Sequence, residues 1–321
     1  MNLRWGILVV TCIGCVAPLC RAEDQPTVIV VVGAEGTAEY GREFTAWADR
    51  WSKAAQKRLA KCIKIGTDAE TPGITDRERF ESALKELPKD DSQQLWIVLI
   101  GHGTFDGKQA KFNLRGPDIS ADDLATWLSP LKRPMAIIDC SSASAPLLNK
   151  LSAGGRVVVT ATRSGSEMSF ARFGDYLSAA IAGSAADLDK DGQTSLLEAF
   201  LAASHGVDEF YKTEGRLSSE HALLDDNGDK LGIGADWFEG IRATRSSRDG
   251  TPLDGPRAHQ WHLILSPAEQ AMPPEARTRR DQLELAVEAL RQRKSTLGED
   301  EYYNQLEKLL LQLGELYRDH P

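Results

Sequence analysis

The chain has 321 residues, 41% of them hydrophobic and 26% charged, which excludes a disordered or fibrous protein and leaves length for one large core plus an appendage. A formal net charge of −9, with no basic stripe carrying interleaved aromatics, excludes a general nucleic-acid surface, so no nucleic acid is expected as a partner. At the start, Met1-Asn2-Leu3-Arg4 puts a positive charge before an apolar stretch, Trp5 to Ala17, that is too short to span a bilayer comfortably. A signal peptide over residues 1–22 is expected, with cleavage after Ala22 and a secreted or periplasmic destination. Lipidation at Cys15 is disfavoured, because Cys12 and Ile13 poorly match the residues that precede a lipidated cysteine. No later run approaches the ~20 apolar residues of a membrane span.

Cys12, Cys15 and Cys20 fall in that leading segment, which leaves Cys62 and Cys140 and no disulfide framework. A bond between these two is disfavoured, since a parallel sheet puts their strand ends on opposite edges. From Thr27 onward, strands and helices alternate. Thr27 to Val32 is a β-branched run, and Phe44, Trp47, Trp51, Ala55 and Leu59 follow at helical spacing. Cys62 to Gly66 reads as a short strand, Asp76 to Leu87 as a helix, Leu95 to Ile100 as a strand, and Ser120 caps a helix through Leu128. Met135 to Asp139 and Arg156 to Ala161 add two strands, and Gln260 to Leu265 is expected to close the domain with a last one. Such alternation implies an α/β domain over residues 23–266, with a mainly parallel sheet sandwiched by helices. Gly33, Gly36 and Gly41 lack the G-x-G-x-x-G spacing of a dinucleotide site and read as a turn into the first helix.

Two strand ends carry chemistry. Leu95 to Ile100 runs into Gly101-His102-Gly103, and Met135 to Asp139 runs into Cys140-Ser141-Ser142. Ligands bind beyond the carboxyl ends of strands in open α/β sheets, so His102 and Cys140 are expected to face each other across one cleft. A thiolate nucleophile, an imidazole that protonates the leaving amine, and the N–H groups of Gly103 and Cys140 as an oxyanion hole would make a peptide-cleaving site. No G-x-S-x-G elbow is present, which sets an α/β-hydrolase esterase aside.

The order of these motifs resembles the superfamily of caspases, legumains and gingipains, in which one strand ends in His-Gly and the next in the nucleophilic cysteine. Cys140-Ser141-Ser142-Ala143-Ser144 is similar to the C-x-S-x-S of legumain-like proteins, and Arg156 to Thr162 to the strand whose exit loop lines their pocket. The resemblance covers Thr27 to Leu265 and is nearest to secreted bacterial legumain-like proteins. It implies a caspase-like fold, a Cys140–His102 dyad, a peptide or protein substrate cut after asparagine or aspartate, and substrate contacts from Arg163 and Ser142. The loops Thr104 to Arg115 and after Arg163 would shape the pocket. One departure stands out: the family places a small residue, often alanine, before its nucleophile, and this chain has Asp139 there. A carboxylate beside a thiol disfavours the thiolate unless a cation compensates, a role open to Arg163.

Asp187-Leu188-Asp189-Lys190-Asp191-Gly192-Gln193-Thr194-Ser195-Leu196-Leu197-Glu198 matches the twelve-residue EF-hand loop at positions one, three, five, six, nine and twelve. Asp187, Asp189, Asp191, Gln193 through its carbonyl, Ser195 and Glu198 are the expected ligands of one structural Ca2+, with helical sequence on either side, Phe173 to Ile181 and Leu196 to Phe210. Thr194 at position eight is not the aliphatic residue that pairs two such loops, so a single site is expected. Asp225-Asp226-Asn227-Gly228-Asp229 repeats the spacing, but Lys230 replaces the glycine and no closing glutamate follows, so it reads as an Asx-rich turn. Residues 267–321 form a helical hairpin, with stripes Leu283, Ala286, Val287, Leu290 and Tyr303, Leu306, Leu310, Leu313, Tyr317, open to a partner or to self-association. Two functions follow: an exported cysteine endopeptidase with structural calcium, or a catalytically inactive caspase-like calcium-binding protein that acts as an interaction module.

Overall fold

Runs as apolar as Thr27–Val32 and Leu95–Ile100 are buried along their whole length, which a strand achieves only with packed layers on both faces. The structure, a computed structural model, describes residues 25–69 and 72–320; the expected signal peptide lies outside them. In chain order, β1 (Thr27–Val32) leads through α1 (Ala38–Lys57), β2 (Lys61–Ile65) and α2 (Asp76–Lys85) to β3 (Leu95–Ile100). Three short strands, β4 (Gly103–Phe105), β5 (Ala110–Phe112) and β6 (Ile119–Ser120), form a small antiparallel sheet before α3 (Ala121–Leu128). Then come β7 (Met135–Asp139), α4 (Ala145–Leu151), β8 (Arg156–Thr160), α5 (Phe173–Ala182), α6 (Leu196–Thr213) and β9 (Leu223–Asp225). A two-stranded ribbon, β10 (Phe238–Glu239) with β11 (Arg242–Ala243), is followed by α7 (Pro256–His259), α8 (Pro267–Ala271), α9 (Pro274–Gln292) and α10 (Glu299–Asp319).

The central sheet has the order β2-β1-β3-β7-β8-β9, parallel throughout except for the antiparallel β8–β9 pair at one edge. The expectation of an α/β fold with a mainly parallel sheet between helices is met. Alternation along the strands sorts side chains by face. Val28, Val30, Trp96, Val98, Ala136, Ile138 and Cys140 pack with Trp47 of α1, Leu177 of α5 and Phe200 of α6. Ile29, Val31, Ile97, Leu99 and Ile137 pack with Phe80 of α2, Leu124 of α3 and Leu148 of α4. Helix starts carry their own caps: Thr75, Ser120 and Ser195 each form a reciprocal capping box.

Gln260 to Leu265 is not a strand. The sheet edge is taken by β9, and the segment makes only an isolated bridge from His262 to Ser195. Its alternating apolar residues lie over the sheet: Trp261 meets Trp96 edge-on at 5.1 Å, and Leu263 is buried beside it. The segment Thr104 to Arg115, expected as a loop, contains β5 and most of β4. Helices α9 and α10 pack together, and α9 is held to the body by a buried bidentate pair of Arg280 with Glu269 of α8 and by Gln260, which donates to the Asp281 carbonyl. Helix α10 leaves Tyr303, Leu310 and Leu311 exposed.

Candidate functional site

β3 and β7 are neighbours with Leu99 opposite Asp139, so the sequence around His102 and the sequence around Cys140 leave the same sheet edge side by side. His102 continues the alternation of Val98 and Ile100 onto the α1 face. Its partly exposed ring stands edge-on to Tyr40 and Phe44, with centroids 5.3 and 5.2 Å away, and Nε2 lies 3.3 Å from the Glu35 carbonyl oxygen.

Cys140 is on the same face but one layer deeper. Its side chain is in the core, 1% exposed, and its N–H completes the ladder with the Leu99 carbonyl at 2.9 Å. Helix α5 lies directly against it: a Cβ built on Gly174 would stand 2.8 Å from both the Cys140 Cβ and the Trp47 ring. Burial pushes the thiol well above its ordinary range, and the carboxylates of Asp139 and Glu220 push it the same way. The thiolate that a nucleophile needs is therefore disfavoured here. This differs from the expected solvent-reachable sulfur, and the reason is parity: Cys140 follows Ala136 and Ile138 into the core.

The expected oxyanion donors are also engaged. The Gly103 N–H donates to Ser142 Oγ at 3.3 Å, and the Cys140 N–H belongs to the ladder. Ser142, expected to bind substrate, is 3% exposed and donates to the Gly103 carbonyl at 3.2 Å, so it braces the two strand exits against each other. Arg163 does not compensate Asp139; its guanidinium pairs with Glu167 at 3.3 Å. It lines a separate cavity of about 400 Å³ with Asp208, Glu220, His221 and Trp237.

Two residues gain importance from the structure. Ser141 is 1% exposed, lies on the His102-Gly103 side, where a Cβ on Gly103 would come within 2.7 Å of its Oγ, and donates from both N and Oγ to Asp139 Oδ1 at 2.9 and 2.6 Å. Asp139 Oδ2 is buried with no partner, and burial raises that carboxyl to about 6. Glu220, 2% exposed, accepts the Arg172 and Phe173 amides and so caps α5 from 48 residues away in sequence, a role that no local signal marks.

The acidic loop Asp187 to Glu198 is folded around its own carboxylates. Asp187 Oδ2 accepts the Gly192 amide at 3.2 Å, Asp189 Oδ1 the Asp191 amide at 3.2 Å, and Asp191 Oδ1 the Gln193 amide at 3.0 Å. Glu198 Oε1 accepts the Leu188 and Asp189 amides at 2.7 and 3.3 Å, and Oε2 accepts the Ser195 hydroxyl at 2.8 Å. Lys190 and Gly192 have positive φ, 65° and 88°, which turns the loop sharply. Carboxylate oxygens of Asp187, Asp189 and Asp191 lie within 4.8 Å of one another, and so do ligand atoms of Asp189, Glu198 and His259. Asp187 Oδ1 is buried without a partner. This donor set fits a hard cation such as Ca2+. His259, with Nε2 3.0 Å from Asp189 Oδ2, was not foreseen, because it comes from α7. The side chains of Gln193 and Ser195 are otherwise occupied: Gln193 bridges Asp191 and the Ser266 amide, and Ser195 caps α6.

No protein-family model matches the sequence, and no curated protein matches it. Solved structures similar to the chain include caspase-1 from Spodoptera frugiperda, 9% identical over 64% of this chain and 87% of that one, with a TM-score of 0.39. The Drosophila initiator caspase Dronc is 11% identical over 67% of this chain and 84% of that one, with a TM-score of 0.41. Raptor from Chaetomium thermophilum is 12% identical over 50% of this chain and 18% of that one, with a TM-score of 0.34.

Proposed function

We propose that this chain is an exported, calcium-binding protein of caspase-like architecture that binds other proteins and does not cut peptide bonds through Cys140. The observation that carries this reading is the burial of the Cys140 side chain against Trp47 and Gly174. Engagement of both expected oxyanion amides supports it, since an acyl-transfer site needs free donors where negative charge develops. The superfamily resemblance supports it too, once its frame is moved by one residue. The small residue that precedes the nucleophile in those proteins is, in this chain, Cys140 itself, and the nucleophile's place falls to Ser141.

A serine there lacks what activates it. An alcohol becomes a nucleophile when a base accepts its proton, and the Ser141 hydroxyl is spent on Asp139, while His102 Nε2 lies against the Glu35 carbonyl. Calcium in the Asp187 to Glu198 loop would hold the start of α6 and, through His259, the α7 segment. The exposed Tyr303, Leu310 and Leu311 of α10 supply apolar surface for a protein partner.

The test is chemical labelling of the calcium-loaded protein with an asparaginyl or aspartyl thiol-directed electrophile and with a fluorophosphonate, together with a peptide library. No labelling of Cys140 or Ser141 and no cleavage is the expected result. Labelling of Cys140 that depends on the peptide portion restores the cysteine peptidase, and labelling of Ser141 makes the chain a serine hydrolase; either overturns the proposal.

A further inference from the structure

Asp225 ends β9 and opens the second acidic run, whose lysine at position 230 argues from sequence against a cation loop. In the structure Lys230 nevertheless takes the backbone conformation of a glycine, φ 71°, and Gly228 has φ 83°. Positive φ thus falls at the fourth and sixth positions of this loop, as it does at Lys190 and Gly192 in the first, with glycine and lysine exchanged. The hydrogen bonds of the third and fifth positions match as well, whereas those of the first differ: Asp225 Oδ1 accepts the Gly228 amide, and Asp187 Oδ2 that of Gly192. Asn227 Oδ1 accepts the Asp229 amide and Asp229 Oδ1 the Leu231 amide, both at 2.8 Å, in the places of the Asp189 and Asp191 bonds.

The closing carboxylate comes from elsewhere. Asp254 Oδ1 accepts the Asp226 and Asn227 amides at 2.9 and 3.2 Å, the second and third positions of the loop, which are the amides that Glu198 Oε1 accepts in the first loop. What points to a ligand is the remaining oxygens. Asp254 is fully buried and Asp225 is 1% exposed, and the Oδ2 atom of each is buried with no partner. Asp254 senses the charge of Asp225, whose carboxylate is also drawn to the Ser152 hydroxyl, and neither has an ion pair among the described residues. Asp226 is not available to a ligand, since its oxygens accept the Gly255 and Ala258 amides at 3.0 and 2.7 Å. Buried carboxylates in natural proteins are paired or coordinate metals.

We propose that Asp225, Asn227 and Asp254 hold a second divalent cation of calcium type, closed in trans by Asp254; Asp229 stands outside the site, because its oxygens accept the Leu231 amide at 2.8 Å and the Ser247 hydroxyl at 2.6 Å. The donors are all oxygens, and the loop is irregular, which favours calcium over the smaller, strictly octahedral magnesium.

The decisive measurement is the number of calcium ions bound per chain, by equilibrium dialysis of the full-length protein after chelation, for wild type, Asp254→Asn and Asp187→Asn. Asp254→Asn is expected to bind one equivalent fewer than wild type, and Asp187→Asn to retain the site at Asp254. Asp187→Asn reports on the first loop alone, so its result separates failure of that assignment from failure of this one. Asp254→Asn is further expected to melt no lower than wild type in chelator, because an unpaired buried carboxylate is removed, and to gain less on adding calcium. An unchanged number of bound ions in Asp254→Asn overturns the proposal. Should that variant not fold, an Asp187→Asn protein that binds no calcium overturns it as well, and one that binds an ion lost in Asp225→Asn sustains it.

Discussion

The carboxyl edge of the sheet and the acidic loops treat buried polarity in opposite ways. At the edge, Ser142 and Gly103 satisfy each other, the Cys140 amide belongs to the ladder, and the Cys140 side chain faces hydrocarbon. In the loops, Asp187, Asp225 and Asp254 each keep a buried oxygen with nothing to accept from. Closed polar networks stabilise a backbone, whereas open ones mark a place for a ligand. Three of the unpartnered carboxylate oxygens therefore lie in the loops, although sequence motifs draw attention to the edge.

Chelation tests the contrast with the largest effect. A ligand that binds only the folded state stabilises it by about 4 kcal/mol at a thousandfold excess over Kd, which for a chain of this size moves the melting temperature by roughly 6 °C. Scanning calorimetry in millimolar calcium and in chelator should show a shift of that order; coincident melting curves would remove cations from the account. A smaller loss is expected at Glu269, whose burial is paired. Glu269→Ala removes the bidentate partner of the Arg280 guanidinium but leaves it paired with Asp281 at 2.7 Å, so it should cost about 2 kcal/mol, with faster amide exchange in α9.

The alternation of strand and helix was legible because parallel strands read as continuous apolar runs and because Ser120 announces the start of α3; the caps Thr75 and Ser195 emerge only in the structure. Other features were hidden for identifiable reasons. Trp261, Leu263 and Leu265 alternate as a strand would, yet alternation is the same whether a segment pairs with a sheet edge or lies over its face. Three residues of β9 are too few to show a period. The parity of Cys140 follows from Ala136 and Ile138, but a histidine and a cysteine at adjacent strand ends are the stronger signal in the sequence. Asp254 and His259 complete the two loops from a segment that carries no acidic spacing of its own, so pairing them with Asn227 and Asp189 required coordinates.

Asp139 is the exception at the edge, since its Oδ2 is buried and unpartnered like those of the loops. Burial raises its folded-state carboxyl to about 6, above the unfolded value, so the folded state binds the proton more tightly. Its contribution is therefore favourable at low pH and is lost as pH rises from the unfolded value through about 6. Asp139→Asn should stabilise the protein at pH 7.5 by on the order of 2 kcal/mol, and by nothing near pH 4. Urea melts at the two pH values measure this; equal effects at both would mean that Asp139 holds Ser141 without titrating.

The smallest effect belongs to the residue that sequence makes most prominent. If Cys140 is core, Cys140→Ala removes one buried sulfur and should cost about 1 kcal/mol through lost packing against Trp47 and α5. The complementary change, Gly174→Ala, pushes a methyl into the same contact and should destabilise by about 1–3 kcal/mol, because neither the Trp47 ring nor the Cys140 Cβ can retreat without moving a helix. The thiol supplies a check independent of stability. In the folded protein a water-soluble disulfide reagent should modify the partly exposed Cys62 and leave Cys140 intact until urea unfolds the chain. Rapid modification of Cys140 under native conditions would reveal an opening of α5 from the sheet, and with it a route by which this edge could be chemically active after all.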